Sequence, residues 1–168
     1  MGRIRKRHPS EGSRRAWRGF VRGITLPTSQ LPGACAMASI QREIDVDIAL
    51  RDAWDALRDV GSIHQRLVPG FVADCRMEGR VRVVTFGNGM VVREPILVID
   101  EDRHRVAWAA VGGSFEHYNA SVQAFDLGEG RTRLRWIADL LPDSAAPEVE
   151  GMIAEGLGVM KRTLEAAG

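Results

Sequence analysis

Arg82 and Glu94 flank the turn signal Gly87-Asn88-Gly89, and each interrupts a strand-like run of apolar residues. Strand side chains alternate, so Met90, Val92, Glu94, Ile96 and Val98 share one face. An unpaired carboxylate there is unfavourable by several kcal/mol, so Glu94 needs a cationic or hydrogen-bonding partner, or it borders a cavity wet enough to tolerate it. Hairpin register decides which partner it meets. A two-residue Asn88-Gly89 turn would set Glu94 against Val83, whereas a three-residue Gly87-Asn88-Gly89 loop with Gly89 left-handed sets it against Arg82. The second register is expected, because a paired ion is far cheaper to bury. Such a pair either orients the polar end of a ligand or only pins the strands.

Other residues with chemical potential are fewer. His64, Tyr118 and Glu94 are the candidates for general acid/base work with perturbed pKa values. His117 and Asn119 flank Tyr118, with Asn119 expected to satisfy loop backbone, and Asp139 reads as a solvated charge. Nothing forms a nucleophile, base and orienter set, a metal cluster or a phosphate-cradling glycine loop, so neither a metal nor another cofactor is expected. The two cysteines, Cys35 and Cys75, support neither a disulfide framework nor a zinc site.

The elements that position these residues follow from periodicity. Ile40, Ile44, Val46 and Ile48 give a first strand; residues 50–57 give a short helix with Ala53, Trp54 and Leu57 at helical spacing, and residues 62–67 a second turn before Pro69-Gly70. Alternation then predicts strands over 71–78, 81–86, 90–100, 105–111, 117–126 and 132–140. Past Pro142 a helix is expected, with Pro147 in its first turn and Val149, Met152, Ile153, Gly156, Leu157, Met160 and Leu164 along one face. An antiparallel sheet curved around that helix is the economical way to bury the stripe.

The formal charge of +1 hides an asymmetry. Residues 1–36 hold eight Arg/Lys against one acid, leaving residues 37–168 with 15 basic against 21 acidic side chains. An acidic body argues against nucleic-acid binding, which needs a basic face. Residues 1–36 lack apolar periodicity and are expected to form a disordered basic leader, with residues 37–168 as the folded domain. Ser13-Arg14-Arg15-Ala16-Trp17 is similar to a twin-arginine signal, but Arg22, Pro27 and Pro32 break the apolar stretch that export requires, and Met37-Ala38-Ser39 reads as a natural start. No apolar run approaches membrane-span length, so a cytoplasmic protein, monomeric or homodimeric, is expected.

The string Gly79-Arg80-Val81-Arg82, followed by Asn88-Gly89, Glu94, Asp100, Trp108, Asn119 and Trp136 in this element order, resembles the polyketide cyclase/dehydrase branch of the SRPBCC superfamily, also called START-like or Bet v 1-like, over residues 40–166. The resemblance implies an α+β helix-grip fold: a seven-stranded curved antiparallel sheet wrapped around a long C-terminal helix, with two short helices after the first strand. It also implies a cavity between sheet and helix, and family members tend to carry both the arginine and the glutamate. Alternation supplies a lining of Phe71, Ala73, Cys75, Met77, Val84, Phe86, Met90, Val92, Glu94 and Ile96, then Trp108, Ala110, Ala120, Val122, Trp136 and Ala138, with Tyr118 on the face of Ala120 and Val122 and with Met152, Ile153, Gly156 and Met160 from the helix. Gly151, Gly156 and Gly158 suggest close approach or deliberate space in that helix. Three functions compete: binding of a small hydrophobic molecule or lipid, the default for an apolar pocket with few polar groups; a cyclase or dehydratase using Glu94 with Tyr118 or His64; and an interaction module with a filled core. Likeness to plant abscisic-acid receptors is loose, since their Ser-Gly-Leu-Pro-Ala gate is replaced by Gly87-Asn88-Gly89.

Overall fold

The computed structural model describes residues 37–112 and 115–168; the basic leader lies outside the described residues. The chain runs β1 (Ala38–Val46), α1 (Leu50–Arg58), α2 (Ile63–Arg66), β2 (Val72–Glu78), β3 (Val81–Phe86), β4 (Val91–Asp100), β5 (Arg105–Ala109), β6 (His117–Gly128), β7 (Arg131–Leu141) and α3 (Ala146–Ala167). A 3₁₀ turn, Asp143–Ala145, precedes α3 and was not foreseen. The strands form one antiparallel sheet in the order β1-β7-β6-β5-β4-β3-β2. This is the helix-grip arrangement, with β1 joined to the last strand.

Alternation builds the sheet's inner face. On β7, Thr132, Leu134, Trp136, Ala138 and Leu140 are buried while the residues between them are not. Register then aligns Ile96, Trp108, Ala120, Ala138 and Ile40 in one row across five strands, every member below 8 % exposure. The α3 stripe, Val149, Ile153, Gly156, Leu157, Met160 and Leu164, buries itself against this face at the spacing a helix requires. Thr132 is buried on the same face and donates its hydroxyl hydrogen to the Ile48 carbonyl at 2.8 Å.

Two bulges overturn part of the expected lining. One, between Val72 and Asp74, turns Val72 inward and leaves Ala73 exposed. The other, between Ile96 and Val98, inserts Leu97 and puts Val98 outside at 39 % exposure. An inserted residue reverses which face every later residue takes. Met77 does share the face of Arg82, its partner in the ladder, but it lies on the edge strand β2 and is 40 % exposed.

Of the α3 glycines, only Gly156 makes a close approach. A Cβ there would lie 3.1 Å from Trp136 Cζ3 and 3.5 Å from the Phe71 ring, whereas one on Gly151 would meet nothing within 4 Å. Gly151→Ala is therefore expected to gain about 0.5–1 kcal/mol of stability from helix propensity, and Gly156→Ala to lose that gain to crowding. Urea unfolding of the two variants checks the contrast; equal shifts would contradict it.

Candidate functional site

The β3–β4 hairpin sets the site. Phe86 N–H donates to the Met90 carbonyl at 2.8 Å, Gly89 N–H to the Phe86 carbonyl at 2.9 Å, and Gly89 has φ +84°. Gly87-Asn88-Gly89 is thus the three-residue loop with a left-handed last residue, and Asn88 Oδ1 accepts from Met90 N–H at 3.0 Å. Gly87 is required for a separate reason: a Cβ on it would stand 2.5 Å from the Gly70 carbonyl oxygen, where the hairpin tip crosses the turn before β2. With this register Arg82 lies directly opposite Glu94.

Both ions are buried, at 6 % and 7 % exposure, and Arg82 Nε–H donates to Glu94 Oε2 at 2.5 Å. The guanidinium carbon stands 4.7 Å over the Trp108 ring, and Trp108 meets Trp136 edge-on at 5.5 Å. One charge is therefore met by a carboxylate and by an aromatic face, which together offset much of its desolvation.

Tyr118 completes the polar set. The Arg93–Val111 bridge and the Ile96–Trp108 pair put Glu94 level with Ala110, and Ala110 N–H donates to the Tyr118 carbonyl. Glu94, Ala110 and Tyr118 therefore share a row in which the small middle residue leaves space between two polar ones. Burial drives the phenol's pKa well above the ordinary tyrosine value, and the Glu94 charge adds to this against a smaller opposing effect of Arg82. At neutral pH Tyr118 is a hydrogen-bond donor and not a base.

Two spaces adjoin these groups. An inner cavity of about 50 Å³ is lined by Arg82, Glu94, Tyr118, Trp108 and Trp136, by Phe71, Phe86, Val84 and Val122, and by Met152 and Met160 of α3. An open groove of about 950 Å³ runs from the hairpin tip to the start of α3, past Met90, Val92, Ala110, Phe115, Val149 and Glu155. Phe71, Phe86 and Met152 line both, with the two phenyl rings edge-on at 5.6 Å.

Several expected lining residues fall elsewhere. Met90 is 47 % exposed at the hairpin end and borders the groove, as does Val92. Cys75, Ala120, Ile153 and Gly156 face inward but are consumed by packing and do not line the inner cavity. The Cys75 thiol donates to the Val60 carbonyl at 3.6 Å, and burial pushes its pKa up, so it is an unreactive packing residue. His64 sits on α2 with Nδ1 buried and unpartnered among the described residues, and it does not line the cavity. Asn119 and Asp139 face each other across β6 and β7 on the other side of the sheet from Tyr118.

Sequence reasoning missed Leu57, Ile63, Leu67 and Val68, through which α1, α2 and the following turn close one end of the cavity, and also Val72 and Val106. The helical spacing of Leu57 and the apolar Leu67-Val68 step before Pro69 were available as signals. Among the described residues no group of three or more His, Cys, Asp or Glu side chains is placed to hold a metal ion, and no helix is long and apolar enough to cross a membrane.

Comparison with known proteins yields one family: residues 37–165 match polyketide cyclase / dehydrase and lipid transport proteins. No curated protein sequence matches the chain. Similar solved structures include an uncharacterised protein of Bacillus thuringiensis (16% identity, TM-score 0.69, covering 76% of this chain and 98% of that one). A START superfamily protein of Mycobacterium smegmatis matches at 16% identity and TM-score 0.61, over 77% and 95% of the two chains. Norcoclaurine synthase of Thalictrum flavum, in complex with dopamine and hydroxybenzaldehyde, matches at 15% identity and TM-score 0.62, over 79% and 86%. These likenesses show the fold.

The buried pair gives a direct test. Glu94→Leu leaves Arg82 uncompensated and is expected to lower stability by about 3–5 kcal/mol, while adding Arg82→Met recovers most of the loss. A double-mutant cycle in urea measures the coupling; additive losses would mean that the two charges do not depend on each other.

Proposed function

The chain belongs to the polyketide cyclase / dehydrase and lipid transport family, and from that premise we propose that it binds a small hydrophobic or aromatic molecule between the sheet and α3, with Arg82 and Glu94 as polar anchors. The observation that carries this reading is the shared wall. Phe71, Phe86 and Met152 line both a cavity with room for little more than a few waters and a groove of about 950 Å³. In this reading those three side chains turn aside to join the cavity to the groove, whose volume lies within the roughly 300–1,000 Å³ of ligand sites. The ligand then lies with its polar end at the ion pair and its apolar body along Met152 and the groove. The same fold in norcoclaurine synthase carries two small aromatic molecules, which is in keeping with this class of occupant.

A cyclase or dehydratase would need a general acid and a general base at the cavity: the protonated Tyr118 suits the acid, whereas Glu94 is engaged by Arg82 and His64 lies off the cavity, so the base is the weaker part of that reading. A second reading, the interaction module, draws on the small inner cavity together with Leu97, Val98 and Ile99, which are exposed in succession on β4. A cytoplasmic location, a monomeric or homodimeric state and a domain boundary at residue 37 belong to the same proposal.

The neutral fluorophore N-phenyl-1-naphthylamine separates the two readings. One molecule is expected to bind per chain, and Met152→Trp, which plugs the shared wall, to weaken binding by about tenfold or more, equivalent to at least ~1.4 kcal/mol. Native mass spectrometry of wild type and Glu94→Gln then reads retention of any co-purifying molecule. Binding that is absent, or indifferent to both changes, speaks for the interaction module.

A further inference from the structure

Trp136 holds a hydrogen-bond donor that no described residue uses. The residue is 6 % exposed and lines the inner cavity, and its Nε1 is buried with no partner among the described residues. Native structures satisfy nearly all such groups. Its surroundings explain why this one is left over. Trp136 stands in register between Val122 on β6 and Arg42 on β1, and its ring meets the edge of Trp108. Valine and tryptophan offer no acceptor, and the Arg42 guanidinium, itself only a donor, is engaged by Glu150 of α3. The Cζ3 edge lies against Gly156, so the N–H, on the opposite side of the indole, points away from that helix contact. A phenylalanine would pack this face without the orphan.

We infer that the ligand of this site is an uncharged, largely apolar molecule with a carbonyl-type oxygen, and that this oxygen accepts the hydrogen bond of the Trp136 indole N–H. The inference rests on the binding reading given above and deepens it. Neutrality follows from the charges present. Among the described residues Arg82 and Glu94 are the only charged ones lining the inner cavity, and they are bonded to each other, with Trp108 on the guanidinium face. A carboxylate taken up here would set a second negative charge beside Glu94, and an ammonium a second positive charge beside Arg82, with no further counter-charge on the lining among the described residues. The neutral phenol of Tyr118 adds a second donor on the same lining. Besides the Glu94 carboxylate, the polar groups of this lining, Arg82, Tyr118 and Trp136, are donors set in apolar surface, which an acceptor oxygen on a hydrocarbon frame complements.

Three matched probes test this by calorimetry on the full chain: 2-acetylnaphthalene, 2-ethylnaphthalene and 2-naphthoate. In the wild-type protein the ketone is expected to bind about tenfold tighter than the hydrocarbon of the same shape, and the carboxylate to bind weakest. In Trp136→Phe the two neutral probes should bind alike. Should that variant fail to fold, the wild-type NMR spectrum decides, because one indole N–H resonance should move downfield with the ketone and none with the hydrocarbon. A ketone preference that survives in Trp136→Phe, a preference for the carboxylate, or unmoved indole resonances overturns the inference. Equal binding of ketone and hydrocarbon to wild type overturns it while leaving the binding reading standing. If none of the three binds, both fall together.

Discussion

Taking a guanidinium and a carboxylate out of water together is tolerable only when they touch, and the sheet around Arg82 and Glu94 is organised by that requirement. A one-residue slip of the β3–β4 hairpin would exchange inner and outer faces on β4 and leave two separated charges, each with a desolvation penalty of several kcal/mol. The loop supports the same register from the other end. Gly89 takes a left-handed conformation, and Gly87 crosses the Gly70 carbonyl where no side chain would fit. Charge pairing and loop sterics thus select one alignment, and that alignment places Trp108 under the arginine and Tyr118 in the row of the glutamate.

What emerges is a polar floor with almost no net charge under an apolar vault. The ions neutralise each other, the phenol remains protonated, and the indole of Trp136 contributes a donor.

Much of this was legible in the residues. The alternation of β7, the helical stripe of α3 and the turn signals gave the element order, and the cost of burying Glu94 without a partner favoured the hairpin register. The errors have a common physical source. Bulges at Ala73 and Leu97 reverse the facing of later residues, and no alternation pattern announces an inserted residue beforehand. The wall contributed by Leu57, Ile63, Leu67 and Val68 depends on how α1 and α2 dock, which is tertiary information. Cavity size escaped for a similar reason, because the apolar side chains named as lining say nothing of whether their rotamers close the space. The orphaned indole of Trp136 is likewise visible only once every neighbour is known.

The wall of Phe71, Phe86 and Met152 has a kinetic corollary. If an occupant enters only while those side chains stand aside, its apparent affinity is its intrinsic affinity scaled by the fraction of molecules caught open. Uptake then saturates at the opening rate when ligand is plentiful, and release is governed by the same motion. A site built this way retains its occupant for a time set by its own side chains, which suits handing a molecule on as well as holding it.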